Sequence, residues 1–330
     1  MKSWIMVRKG IRINRFLEER MMLVVLTGLA VGALFHDQLV HLKTAVQYIF
    51  AYMTFAMAVN CSSNDFKKAL RSPGHLLSIL GLLHVALPLL ATVLAKVFLP
   101  GEPLFQAGII LITAVPIGVA SVIWISLSGG NTALGLTTVT ADTILSPLIV
   151  PLVMLLSMGR SVHFDVAQLM TGLALMVVLP TVLGMICHDL TKGEISRKIK
   201  FITGPTTKIS LLLIVGINLA VAWGTLHLLR NAIWTLLALA GVMGFSGYLA
   251  GYGWARITKQ PPALVNTFIF SVGMRNITAG LVIALKYFPE QTALPVVFII
   301  VFQQPLAALC HRFLAIKEVP HRPGFHKTAS

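Results

Sequence analysis

Asp142 is the one acidic residue among the chain's 11 that falls in the middle of a long apolar run, in Val139-Thr140-Ala141-Asp142-Thr143. The other ten sit in connections, at the ends of such runs or in the termini. Two more ionisable groups share apolar surroundings: His84 in Leu82-Leu83-His84-Val85-Ala86, and Arg275 in Ser271-Val272-Gly273-Met274-Arg275-Asn276. A charge at the centre of a bilayer costs about 2.5–3.5 kcal/mol, so such groups pair with an opposite charge or line a pathway. Arg keeps its proton, which leaves Asp142 and His84 as the groups able to take one up or release it.

The segment holding Arg275 has a counterpart earlier in the chain. Pro116-Ile117-Gly118-Val119-Ala120-Ser121 also interrupts an apolar helical run. Each interruption is followed by a hinge and a near-identical tetrapeptide, Asn131-Thr132-Ala133-Leu134 and Gln291-Thr292-Ala293-Leu294. A membrane helix unwinds only where its freed backbone groups are satisfied by protein or by a water-filled cavity. Matching interruptions in two halves are therefore the sequence mark of a secondary transporter and its site. The plain alternative is that Gly and Pro only kink two helices.

Helix halves restarting after Gly118 and Gly273 present unpaired N–H groups and a positive dipole end. A carboxylate is expected to meet the amides near Val119 and Ala120, with Arg275 available for a bidentate contact. Glycine at each break is expected to supply unusual backbone angles. Thr137, Thr138, Thr140 and Thr143 either line a cavity or spend their hydroxyls on their own helix.

The elements that must hold these residues are apolar and long. The chain is 56% hydrophobic and 11% charged, with a mean hydropathy of +0.85; soluble domains carry roughly twice that charge. Ten runs are expected to cross a bilayer, at 17–35, 40–60, 76–98, 105–128, 132–157, 165–188, 202–224, 231–256, 263–287 and 291–315. The fourth and ninth are broken. The fold expected is an all-α polytopic membrane protein.

The net charge of +15 does not point to nucleic acid, because its placement is one-sided. Twenty of the 26 Lys and Arg fall before residue 21, in 67–71, 192–208 and 256–259, and from Arg312 onward. The alternate connections hold only Lys43, Lys96, Arg160, Arg230 and Lys286. By the positive-inside rule both termini are cytoplasmic, in the inner membrane, and the number of crossings is even. Residues 1–20 read as a basic amphipathic lead-in at the membrane surface rather than a cleaved signal.

Five runs precede Phe164 and five follow it, so the halves have opposite orientations and the repeat is inverted. A single transporter domain is expected over 1–330, with repeats at 21–158 and 164–315 and a cytoplasmic tail at 316–330. Cys61, Cys187 and Cys310 have no metal-ligand spacing. An intramembrane transferase needs clustered carboxylates for Mg²⁺, and only Asp142 is in place, so an enzyme is excluded. No resident cofactor is expected. The partners are a small solute and the lipid bilayer, and nothing specifies an oligomeric state.

Three segments carry a family resemblance: Phe55-Ala56-Met57 through Asn64-Asp65-Phe66; Ala120-Ser121 through Gly130-Asn131-Thr132-Ala133-Leu134 with Leu145-Ser146-Pro147-Leu148; and Val272-Gly273-Met274-Arg275-Asn276. The chain resembles the bile acid:sodium symporter family over nearly its whole length. The resemblance implies a panel domain and a core domain, with the two broken helices crossing in the core. It implies an organic anion as substrate, here a small carboxylate such as a keto acid or a pantoate-like acid. Asn276 would contact that substrate, or simply satisfy backbone at the unwound segment.

The family binds two sodium ions at the crossing, and this chain departs from the ligand set. Where the family reads Glu-Val-Gly-Met-Gln-Asn, Ser271 replaces the Glu and Arg275 the Gln. Val122 follows Ser121 in place of Asn, and Gly135 and Val139 fall at two hydroxyl positions; Ser121 survives. An Arg and a Na⁺ about 4 Å apart at an effective dielectric near 20 repel by roughly 4 kcal/mol. Na⁺ is therefore disfavoured, and Asp142, His84, Ser271 and Thr138 are the candidates for a coupling ion or proton.

The resemblance packs Asp142 against Arg275, and three roles fit that pair: a proton-cycling carboxylate, a permanent surrogate cation in a uniporter or exchanger, and a static salt bridge. His84 lies within one residue of the family's sodium-ligating Gln, and is otherwise a helix-packing group. A sodium-coupled symporter and a channel or sensor on the same fold are the alternative functions.

Overall fold

The computed structural model describes residues 2–64, 73–159, 161–224 and 232–317. Asp65 and Phe66, the basic residues Lys67, Lys68 and Arg71, Arg160, Arg230 and the tail beyond Lys317 lie outside the described residues.

Helix α1 (Lys2–Glu19) ends at Arg20, and α2 (Met21–Leu34) starts directly behind it. Turns at His36–Leu39 and Val40–Ala45 lead into α3 (Val46–Ala58). The chain bends by 94° between Leu23–Leu34 and His36–Ala58. The apolar run read at 17–35 is thus divided at Arg20, and the one read at 40–60 opens with a tight 3₁₀ turn.

Six helices are long and apolar enough to cross a bilayer among the described residues, or seven if the bent pair counts as one span. Five of them are α4 (Pro73–Phe98), α7 (Thr132–Met158), α8 (Val166–Leu190), α9 (Glu194–Trp223) and α10 (Ile233–Ile257). Helix α9 begins several residues before the apolar stretch read at 202–224, and Glu194 and Lys198 form an exposed i,i+4 ion pair at 2.8 Å on its polar first turns. The last long span runs Glu290–Leu314.

Between these lie four shorter apolar helices arranged as two pairs of halves: α5 (Pro103–Ala114) with α6 (Ala120–Leu127), and α11 (Pro262–Gly273) with α12 (Ile277–Tyr287). The final helix, α13 (Ala293–Lys317), follows a 3₁₀ turn at Glu290–Thr292. Both breaks fall where the sequence puts them. No half is long enough to cross a bilayer alone, which takes about 20 residues.

Local chemistry sets the ends of these helices. Pro103 and Pro262 stand at first turns, where a missing N–H leaves nothing unsatisfied. The Asn131 and Asn276 side chains cap α7 and α12, accepting from Leu134 N–H at 3.0 Å and Ala279 N–H at 3.1 Å. Within α7, Pro147 offers no N–H to the Thr143 carbonyl, and the Ser146 hydroxyl takes it at 2.7 Å.

Helices α4 and α8 each carry one π-helical turn, at Leu82–Ala86 and Ala174–Val178. Both turns end two residues before a proline, Pro88 and Pro180. The pyrrolidine ring clashes with the carbonyl four residues back, and widening the preceding turn relieves it. Leu89, Val93 and Val97 on one face of α4 stay exposed, an apolar stripe suited to lipid.

Candidate functional site

The two breaks meet. Ile117 and Arg275 form an isolated antiparallel bridge, with Gly118 N–H donating to Met274 O at 3.1 Å and Asn276 N–H to Pro116 O at 2.7 Å. Each unwound segment thereby satisfies backbone groups of the other, as apolar surroundings require. A Cβ on Gly118 would lie 2.7 Å from the Arg275 carbonyl oxygen. Neither Gly118 nor Gly273 adopts a positive φ. The expectation of unusual backbone angles is corrected: Gly118 is small so that two backbones can touch.

Asp142 is fully buried, and α7 delivers its carboxylate to this crossing. Oδ2 accepts the Ile117 N–H at 2.7 Å, and Oδ1 lies 2.6 Å from His84 Nε2. No ion pair within 4.0 Å joins Asp142 to Arg275, so the expected pairing is corrected to a carboxylate–imidazole couple. The guanidinium has another partner: Arg275 Nη2 donates to Leu83 O at 3.4 Å.

The π turn explains that choice. Leu87 N–H bonds to Leu82 O, so Leu83 loses its usual partner, and the next amide along belongs to Pro88, which has none. The orphaned Leu83 carbonyl sits in a buried site and takes the guanidinium. The same widened turn carries His84 to Asp142.

Several polar atoms here are buried with no partner: His84 Nδ1, Arg275 Nη1, and the hydroxyls of Ser121 and Ser271. Val119 and Ala120 open α6 at half-buried positions, ahead of Ser121, whose N–H bonds back to Gly118 O at 2.9 Å. Thr138, Thr140 and Thr143 donate to carbonyls of their own helix at 2.7–2.9 Å. A cavity of about 10 Å³, room for one water, touches Arg275, Gln303 and Thr113. None of Thr137, Thr138, Thr140 and Thr143 borders it.

Three participants escaped sequence reasoning. They are the Leu83 carbonyl, the Ile117 amide, and Gln303, whose Oε1 accepts the Arg275 N–H at 3.1 Å. Pro88, placed five residues after Leu83, was the available signal for the first.

The structure thus brings Asp142, His84, Gly118 and Arg275 to one crossing, with the Asn276 N–H bonded to Pro116 O beside it. A family model for the "Sodium Bile acid symporter family" matches residues 47–227 of the chain. This chain belongs to the sodium bile acid symporter family. "Uncharacterized protein YbaS" of Bacillus subtilis (strain 168) is 34% identical over 283 residues, covering 86% of this chain and 92% of its own. From the same organism, "Uncharacterized sodium-dependent transporter YocS" is 24% identical over 287 residues, covering 86% and 87%. "Probable sodium/metabolite cotransporter BASS1, chloroplastic" of Arabidopsis thaliana is 26% identical over 261 residues, covering 78% and 61%. Membership of the symporter family makes the chain a multi-pass membrane transporter of a small molecule, and not an enzyme.

Proposed function

We propose that the chain is a secondary active transporter that moves a small organic anion, a keto acid or pantoate-like carboxylate, across the cytoplasmic membrane by alternating access. The observation that carries this reading is the Ile117–Arg275 crossing, which holds a buried guanidinium nitrogen without a partner beside the start of α6. An anion entering there meets a fixed cation and a positive helix end.

Ten crossings in two inverted repeats, 21–158 and 164–315, go with this reading, and the order of the helices supports them. Each half ends in a broken helix followed by a long one containing proline. Twenty basic residues against five on alternate connections support cytoplasmic termini. Arg275 takes the place of a coupling sodium.

A second reading has its own observation. The Ser121 and Ser271 hydroxyls are buried and unpartnered, and one Bacillus relative is named sodium-dependent. Uptake of labelled pyruvate, pantoate and taurocholate into proteoliposomes, under imposed Na⁺ or H⁺ gradients, separates the two. Saturable uptake indifferent to Na⁺ is expected. Uptake driven by Na⁺ sinks the sodium-free reading, and absence of counterflow for every labelled acid sinks the carrier.

A further inference from the structure

We propose that the His84–Asp142 couple is a proton-binding site, and that one proton enters it with each monovalent anion carried. The proposal rests on the transport reading above and names its coupling ion. Its basis is an imbalance at the crossing. Both Asp142 oxygens are engaged, by His84 Nε2 at 2.6 Å and Ile117 N–H at 2.7 Å, while His84 Nδ1 is buried with nothing to bond. With Nε2 turned to Asp142, Nδ1 carries the one imidazole lone pair of the couple that is still open to a proton, and a proton there needs an acceptor that an entering carboxylate supplies.

The charges are few and can be counted. Helix α5 brings no ionisable residue against the His84 turn, α7 brings Asp142, and α10 brings Tyr248. The Tyr248 hydroxyl donates to Gln303 O at 3.3 Å. Arg275 arrives from the second break. On α4 itself, His75 contacts Gln260 at 3.2 Å, and Lys96 lies in the last turn.

With a neutral imidazole, carboxylate and guanidinium cancel. A proton added at Nδ1 gives an imidazolium held by Asp142 and raises the cluster to one net positive charge, which a monovalent carboxylate balances. Binding of proton and anion then favours each other by the same factor. The message reaches the crossing directly, because the Asp142 oxygen opposite His84 holds the Ile117 amide.

Two measurements test this. The first needs no substrate: pH-difference infrared spectra of the full chain in lipid nanodiscs between pH 5 and 8. The expected result is an imidazole protonation signal with a carboxylate shift, of which one imidazole component, beyond those of the nine other histidines, is lost in His84→Gln and altered in Asp142→Asn. Spectra identical in wild type and His84→Gln overturn the proposal.

The second uses wild-type protein in pyranine-loaded vesicles given labelled pyruvate or pantoate. Proton entry is expected to accompany uptake, with accumulation rising about tenfold per pH unit, faster than in protein-free vesicles. Net uptake without proton entry overturns proton coupling and leaves the carrier standing. Failure of counterflow for both acids overturns the carrier, while the infrared result still decides the proton site.

Discussion

Leu83 and Arg275 are joined because Pro88 has no amide. The π turn passes the Leu87 N–H to Leu82, and the Leu83 carbonyl accepts the Arg275 guanidinium at 3.4 Å instead of a helical partner. A feature of one helix therefore decides where a charge from another comes to rest.

Pro88→Ala tests this dependence. It supplies an amide at position 88, and α4 is expected to close into regular helix. Hydrogen exchange should slow across residues 84–88, the guanidinium should lose its acceptor, and uptake should fall roughly tenfold, equivalent to about 1.4 kcal/mol in the barrier. Unchanged exchange together with unchanged uptake sinks the link between Pro88 and Arg275.

Removing the guanidinium leaves the buried Leu83 carbonyl without its donor and takes one of two opposite charges from the crossing. Arg275→Gln is expected to destabilise the protein by about 1–3 kcal/mol, measured by denaturation in detergent. Asp142→Asn in the same chain should recover part of that loss, since the two charges share one site. Strict additivity of the two changes means that they do not interact.

Gly118→Ala inserts a methyl group 2.7 Å from the Arg275 carbonyl oxygen. The extended segments have to separate, at a cost of about 1–3 kcal/mol. A melting temperature equal to wild type, with uptake intact, contradicts the backbone contact described here.

Asn131→Ala and Asn276→Ala remove side-chain caps from α7 and α12. Each is expected to lower stability by about 0.5–2 kcal/mol. If Asn276 also meets substrate, KM rises in Asn276→Ala and stays near wild type in Asn131→Ala. Equal transport kinetics in the two variants limit Asn276 to capping.

Pro116, Gly118 and Gly273 marked the breaks because a helix lacking donors or side chains there cannot continue unaided. Asp142 and Arg275 stood out because charge is scarce in apolar runs. Their partnership was misread, since sequence spacing does not reveal which carbonyl a π turn leaves free. Gln303 had no visible signal, because it stands mid-helix beside Gln304 and the sequence does not say which of the two turns to the site.

From its own residues the chain determined an apolar helical protein with two interrupted helices, family membership, and three ionisable groups in apolar surroundings. These follow from local rules of hydropathy, proline and glycine chemistry, and the cost of buried charge. Tertiary structure alone decided that the breaks pair through Ile117 and Arg275, that Asp142 binds His84, and that the guanidinium turns to Leu83. Those choices join residues far apart in the chain, and a buried donor accepts whichever unsatisfied acceptor folding brings within reach.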